Sequence, residues 1–201
     1  MKKYILILGL VSLVLSATPL PDPDTEGGMG LNEANMKRMS KRDFKNLDVT
    51  KEELSQLLWA AYGMGNDKHR TVPSSKGKYP FTFYVFLMDG VYKYLADTHE
   101  IELVVSGDYR AETGQQDFVK KAGANICFVG DYSKEDYPDV ETKQHKMNLD
   151  AGYCSQNMYL VCADKDLKCV IRGMVEQAKV LKVLGLTDDK YYVPLCFSAG
   201  K

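Results

Sequence analysis

Hydrophobic and polar positions change period several times along this chain, and each change predicts an element. Leu54, Leu57, Leu58 and Ala61 recur at helical spacing behind Thr50, with Glu53 placed to complete a capping box. Gly63 and Gly65 end that helix. Residues 31 to about 39 read as a shorter helix. Residues 81–88 and 91–95 flank Asp89-Gly90, which signals a hairpin with a type I′ turn. Residues 101–105 are too few to decide between a third strand and part of a helix. Residues 115–121 read as a short helix and 126–130 as a buried strand. Residues 133–146 are polar and acidic, a surface excursion. Residues 149–163 read as a helix that turns apolar nearly all round after Met158, which predicts burial within the protein or between subunits. A strand over 169–175, a helix over 176–184 stopped by Gly185, and a last strand over 191–198 complete the chain. Strands and helices interleave irregularly around a hairpin, so the fold class is α+β rather than a doubly wound parallel sheet.

Composition changes little in that picture. At 201 residues, 45% hydrophobic and 26% charged, the chain suits one domain with a sizeable core. A net charge of -1 gives no field that points to nucleic acid or a membrane surface. The first residues differ from the rest. Lys2 and Lys3 precede an apolar run over 4–15 and then Ser16-Ala17, the layout of a secretory signal peptide over 1–17. The run is too short to span a bilayer comfortably. Cleavage there removes two lysines and takes the charge from -1 to -3. The expectation is an exported protein, periplasmic or secreted, with a bacterial start. Residues 18–30, rich in Pro, Asp and Gly, read as an arm or linker, and 31–201 as the folded domain.

Several chemistries are absent. The sequence holds no P-loop, no Gly-x-Gly-x-x-Gly after a strand and no Gly-x-Ser-x-Gly. His69, His99 and His145 are scattered without metal spacing. The five cysteines, Cys127, Cys154, Cys162, Cys169 and Cys196, each sit in an apolar pattern without Cys-x-x-Cys spacing. They are expected to be buried, inert thiols, with no disulfide framework.

One stretch carries candidate chemistry. Lys37-Arg38-Met39-Ser40-Lys41-Arg42-Asp43-Phe44 gathers four cations around one hydroxyl. It reads either as a solvated helix end that complements the dipole, or as an anion site. In extended chain Arg38, Ser40 and Arg42 project together, and two guanidiniums with a hydroxyl suit a phosphate.

This stretch resembles the Arg-x-Ser-x-Arg-x-Phe of the nitroreductase family of FMN flavoproteins. The resemblance extends over most of 27–200. It takes in Gly27-Gly28, Leu31-Asn32-Glu33-Ala34, residues 54–63, Arg70-Thr71-Val72-Pro73-Ser74 and Tyr79-Pro80. Further on it takes in Gly90-Val91-Tyr92-Lys93-Tyr94, Gln116-Asp117-Phe118-Val119, Asp150-Ala151-Gly152 and Val170-Ile171-Arg172-Gly173. It is closer to the thiazoline-oxidase-like branch of small dehydrogenases, because Gly77 and Tyr79 stand where many nitroreductases carry Asn and Gln.

The resemblance implies a mostly antiparallel central sheet flanked by helices, and a homodimer with FMN between the subunits. It implies that Arg38 and Ser40 hold the flavin phosphate and ribityl chain, and that Arg42 lies near the pyrimidine edge. It places Pro73, Ser74 and Ser75 beside the ring and Gln116 near the cofactor. The backbone of Ile171, Arg172 and Gly173 is implied to face the flavin. Asp150 is implied as a further contact, or is a cap for the helix that follows. Lys201, at the end of the chain, is a candidate phosphate contact. The implied activity moves electrons from NAD(P)H or another donor through flavin to a small electron-poor acceptor. Gly77, Tyr79 and the stop at Gly200-Lys201 carry the alternative, a non-catalytic binding module of the same fold.

Overall fold

The computed structural model describes residues 17–201, so the expected signal peptide lies outside the described residues except for Ala17. In chain order the elements are β1 (Thr18–Pro19), α1 (Leu31–Lys37), α2 (Lys51–Tyr62), β2 (Phe81–Phe86), β3 (Gly90–Leu95), β4 (Glu100–Ser106), β5 (Ala124–Asp131), α3 (Val140–Asp164), β6 (Lys168–Arg172), α4 (Gln177–Leu184), β7 (Tyr191–Tyr192) and β8 (Cys196–Gly200). The strands form one eight-stranded sheet in the order β1-β4-β3-β2-β5-β8-β6, with β7 also paired to β5. Every pairing is antiparallel. The α+β expectation holds.

Helices cover both faces of the sheet. Along β5, Ile126 and Phe128 point into a core shared with Leu54, Leu57 and Leu58 of α2 and Cys154 and Met158 of α3. Cys127 and Val129 point the other way, against Val180 and Leu181 of α4. That is why β5 reads as a continuous apolar run although its partners are antiparallel. Phe83, Phe128 and Phe197 are fully buried, each stabilising the fold by roughly 1.5–3 kcal/mol. Helix α2 begins as expected: Glu53 N donates to Thr50 Oγ1 at 3.2 Å, and Thr50 N to Glu53 Oε2 at 2.7 Å. Asn157 of α3 ties α2 down by donating to the Ala60 carbonyl at 2.9 Å.

Several sequence expectations are corrected. The β2–β3 turn is not type I′, because neither Asp89 nor Gly90 has positive φ. Leu87 N donates to Gly90 O, so Met88 and Asp89 make the turn. Gly90 is needed inside the sheet instead, where a Cβ would lie 2.7 Å from Leu103 Cδ1. Residues 101–105 belong to a strand. Residues 115–121 form only a 3₁₀ turn, Val119–Lys121. The last strand is split by Pro194, which has no N–H for the ladder.

Helix α3 starts at Val140, nine residues before the apolar periodicity does. Asp139 caps it by accepting from Thr142 N at 2.7 Å. Its first turns lie over the surface, so they carry no apolar signal. After Met158, Tyr159 and Cys162 are buried and Leu160, Val161 and Ala163 partly so, while Leu149 and Tyr153 earlier in the helix are about half exposed.

The cysteines need the largest correction. Cys127 and Cys196 face each other across β5 and β8 and are joined by a disulfide, 69 residues apart in sequence. Strand pairing made them neighbours, which spacing along the chain cannot show. Cys154, Cys162 and Cys169 are free and buried, as expected.

Residues 18–30 run along the body. Leu20 is buried and its N–H donates to His99 O at 3.1 Å, while Met29 N donates to Asp164 Oδ1 at 2.6 Å.

Candidate functional site

The basic stretch leaves α1 in extended conformation, with Arg38 at φ -53° and ψ 120°. It then lies along β6, the outer strand of the sheet. Lys41 N donates to Cys169 O at 2.8 Å, and Lys168 Nζ donates to Asp43 O at 2.7 Å. Phe44 anchors its end against Ala122, Val170 and Phe118. Alternation along the extended backbone turns Arg38 and Ser40 toward α3, and both meet Tyr159. The Ser40 hydroxyl lies 2.7 Å from the Tyr159 phenol, and the Arg38 guanidinium sits 5.3 Å from the ring centroid. Ile171 N donates to the same phenol at 3.0 Å. Arg42 shares the parity but is exposed. Among the described residues neither Arg38 nor Arg42 is ion-paired, whereas Lys37 pairs with Glu33 and Lys201 with Glu53. A cavity of about 140 Å³ adjoins, lined by Met39, Lys41, Tyr159, Cys162 and Cys169 among others. Tyr159 was missed in the sequence because an aromatic inside an apolar helix reads as core.

A second cluster forms around the loop after Val72. Pro73 is exposed. Ser74 Oγ donates to Asp150 Oδ2 at 2.5 Å and accepts from Tyr79 N at 2.9 Å. Ser75 Oγ is 3.2 Å from the Tyr137 hydroxyl, and Lys78 pairs with Asp136. Lys76, Gly77 and Tyr79 all have positive φ, and at Gly77 (φ 64°) a glycine meets this bend without strain. Asp150 lies deep within α3 and caps nothing, which removes the capping alternative. It is buried, and burial raises its carboxyl above the usual range against the opposing bond from Ser74. Glu135 stands nearby, a residue no sequence signal singled out. It is 4% exposed, and both carboxyl oxygens are buried with no hydrogen-bond partner among the described residues. Burial, and then the charge of Asp150, push its carboxyl up as well.

The remaining predicted residues divide. Gln116 Nε2 contacts Met174 Sδ at 3.7 Å, and its carbonyl oxygen is buried without a partner. The Arg172 side chain is a buried brace: Nε donates to Ser198 Oγ at 3.0 Å, Nη1 to Thr113 O at 2.9 Å and Nη2 to Thr113 Oγ1 at 3.1 Å. Burial lowers its pKa to about 10. Its backbone neighbours differ, since Ile171 N serves Tyr159 and Gly173 is exposed.

Asp150 and Tyr159 are nine residues apart on α3, about 2.5 turns and roughly 14 Å, which puts them on opposite sides of the helix. Between them α3 exposes Leu149, Gly152, Tyr153 and Gln156. The two clusters therefore border the same uncovered stripe.

Residues 36–201 match the Nitroreductase family. A Methanocaldococcus jannaschii protein assigned as a nitroreductase is 27% identical over 177 residues, 83% of this chain and 89% of its own length. A crystal structure from Ralstonia eutropha with the same assignment is 32% identical, with a TM-score of 0.84 over 92% of this chain and 89% of that one. Another, from Desulfovibrio desulfuricans and solved in complex with FMN, shares the fold with a TM-score of 0.63 at 21% identity over 87% of each chain. With the match covering nearly all of the described residues, the chain belongs to the nitroreductase family of oxidoreductases.

Proposed function

We propose that this protein is a homodimeric, FMN-dependent oxidoreductase that reduces a small, flat, electron-poor acceptor at the expense of NAD(P)H or another donor. The observation that carries the reading is the meeting of Arg38 and Ser40 on Tyr159. A half-buried guanidinium without a carboxylate partner, beside a hydroxyl and a phenol, fits a phosphate better than it fits a solvated helix end. The structure from Desulfovibrio desulfuricans, with FMN bound on the same fold, supports the cofactor.

In this reading Arg38 and Ser40 hold the phosphate and ribityl chain, and Tyr159 fixes both. Arg42 supplies a cation to the pyrimidine edge, and Gln116 and the backbone at Ile171 and Gly173 line the cofactor. Ser74 and Ser75 stand beside the ring. Bound FMN supplies the hydride and electron chemistry, and the protein's part is to bind, orient and keep water away. Lys201 is held by Glu53, so a phosphate contact from it requires that ion pair to open.

Size and exposure support a subunit-bounded site. The cavity beside Tyr159, about 140 Å³, is small against the roughly 300–1,000 Å³ of ligand pockets, which suits a site whose remaining walls come from a second copy. The stripe of Leu149, Gly152, Tyr153 and Gln156 is the face on which that copy would sit. The identities of Gly77 and Tyr79 support placement in the thiazoline-oxidase-like branch, and the Cys127–Cys196 disulfide suits an exported protein in an oxidising compartment.

The test is the colour of the purified chain. A yellow protein with a flavin band is expected, and Arg38→Ala should weaken FMN binding about tenfold to a hundredfold, the loss of one charge-assisted contact. A colourless protein that takes up no added FMN overturns the proposal.

A further inference from the structure

We propose that the cleft where the chain just past the basic stretch meets the turn before β5 is a second anion site, built for a diphosphate group, inorganic or carried by a nucleoside. It lies apart from the place assigned to the FMN phosphate and does not depend on the flavin reading.

The cleft is organised by Arg110, which is 2% exposed. Its guanidinium joins three segments. Nη1 donates to Ala122 O at 2.8 Å and Nη2 to Asn46 Oδ1 at 3.2 Å, while Nε and Nη2 grip the two carboxyl oxygens of Asp108 at 2.9 and 2.8 Å. Asn46 N donates in turn to Lys121 O at 3.0 Å, and Lys45 N to Lys201 O at 2.7 Å. Asn46 holds a left-handed bend, φ 57°, a conformation that asparagine tolerates better than most side chains. These bonds bring Lys45 together with Lys120 and Lys121, far from it in sequence, around one cavity of about 580 Å³. Phe44 also lines that cavity, and about six residues of extended chain, roughly 20 Å, separate it from Arg38 on Tyr159.

Charge decides what the cavity takes. Four cations and one carboxylate line it, a surplus of three positive charges in a chain whose net charge is -1. Asp108 is held by Arg110, and among the described residues none of Lys45, Lys120 and Lys121 is ion-paired. Three ammonium groups gathered in one cleft repel one another, and a bound anion relieves that repulsion. With Asn46 Oδ1 turned to Arg110, the two Nδ2 donors of the same amide remain for a ligand. A monophosphate brings only about 1.5–2 negative charges, so the surplus is better matched by two linked phosphates. Size agrees, since ligand pockets run to roughly 300–1,000 Å³ and a lone phosphate would fill little of this one.

The test is isothermal titration of the full chain in low-salt buffer without divalent metal, with inorganic pyrophosphate, ADP and inorganic phosphate as probes. Pyrophosphate and ADP should each bind at least about tenfold more tightly than phosphate. Tighter binding of ADP than of pyrophosphate assigns the site to a nucleoside diphosphate, and the reverse assigns it to the free ion. The double change Lys120→Ser and Lys121→Ser should weaken both diphosphates about tenfold or more, and Lys45→Ser, from another segment, should act in the same direction. All three lysines are exposed, so these variants should keep the wild-type melting temperature. Arg38→Ala should leave diphosphate binding unchanged. Failure of both diphosphates to bind overturns the proposal, and so does phosphate that binds equally well. Binding that survives the lysine changes but is lost with Arg38→Ala puts the anion on the basic stretch and overturns it too. A chain that takes up no FMN overturns the flavin reading and leaves this proposal standing.

Discussion

The Ser40 hydroxyl and the Tyr159 phenol lie 2.7 Å apart although 119 residues separate them. Through this contact the extended stretch after α1 is fixed to the middle helix of the fold. The same phenol accepts from Ile171 N and lies under Arg38, so one side chain gathers three segments. Tyr159→Phe keeps the ring and removes the hydroxyl. The expected result is a loss of about 1 kcal/mol in stability and a several-fold weaker grip on FMN, read by thermal unfolding and flavin titration.

Arg172 and Arg38 should separate cleanly. Arg172→Met leaves the buried Thr113 carbonyl without its guanidinium donor and takes one of the two bonds at Ser198 Oγ, and about 2–3 kcal/mol of stability should be lost. Denaturant unfolding checks this. Arg38→Ala should leave the unfolding midpoint nearly unchanged while FMN affinity drops.

Reducing the Cys127–Cys196 disulfide frees a loop with a sequence separation of 69. The chain-entropy treatment gives about 4 kcal/mol for a loop of that size. The double change of both cysteines to serine should lower the melting temperature, and reductant should lower that of the wild type but not of the variant.

His99 makes stability depend on pH. Its Nε2 lies 2.7 Å from Ser55 Oγ and 3.2 Å from the Pro21 carbonyl, and its Nδ1 lies 2.8 Å from the Tyr94 hydroxyl. Burial holds its pKa below the usual 6.5. The unfolded chain therefore binds the proton more readily, and stability should be lost as pH falls below about 6.5 toward the folded-state value. Hydrogen exchange should show residues 18–22 opening first on acidification, and His99→Gln should flatten the dependence.

Much of this was written locally. Thr50 and Glu53 specify a helix start with side chains that meet within one turn, so α2 was legible to the residue. Gly185 stops α4 in the left-handed conformation, φ 67°, that the sequence anticipates. The α+β class and the parity of Arg38, Ser40 and Arg42 could likewise be read before any coordinates. Other features were not legible, because their causes lie across the fold. Gly90 looked like a turn residue, but Leu103 on the neighbouring strand decides its role. Asp139 caps α3 over a surface where no apolar period marks the helix. Glu135 is polar, in a polar run, and its burial follows from the way residues 132–137 dock on the Ser74 loop.

The sequence alone determined the α+β class, the start of α2 and the stop of α4, and that cations and a hydroxyl would share one side of the basic stretch wherever it runs extended. Caps, turns and side-chain parity act within a few residues, and so they survive in one dimension. Tertiary structure alone decided that Tyr159 would receive that segment, that Cys127 would meet Cys196, and that Glu135 would be buried where residues 132–137 dock on the Ser74 loop. Each of those depends on strand register or helix packing between positions far apart in the chain, and no local spacing encodes it.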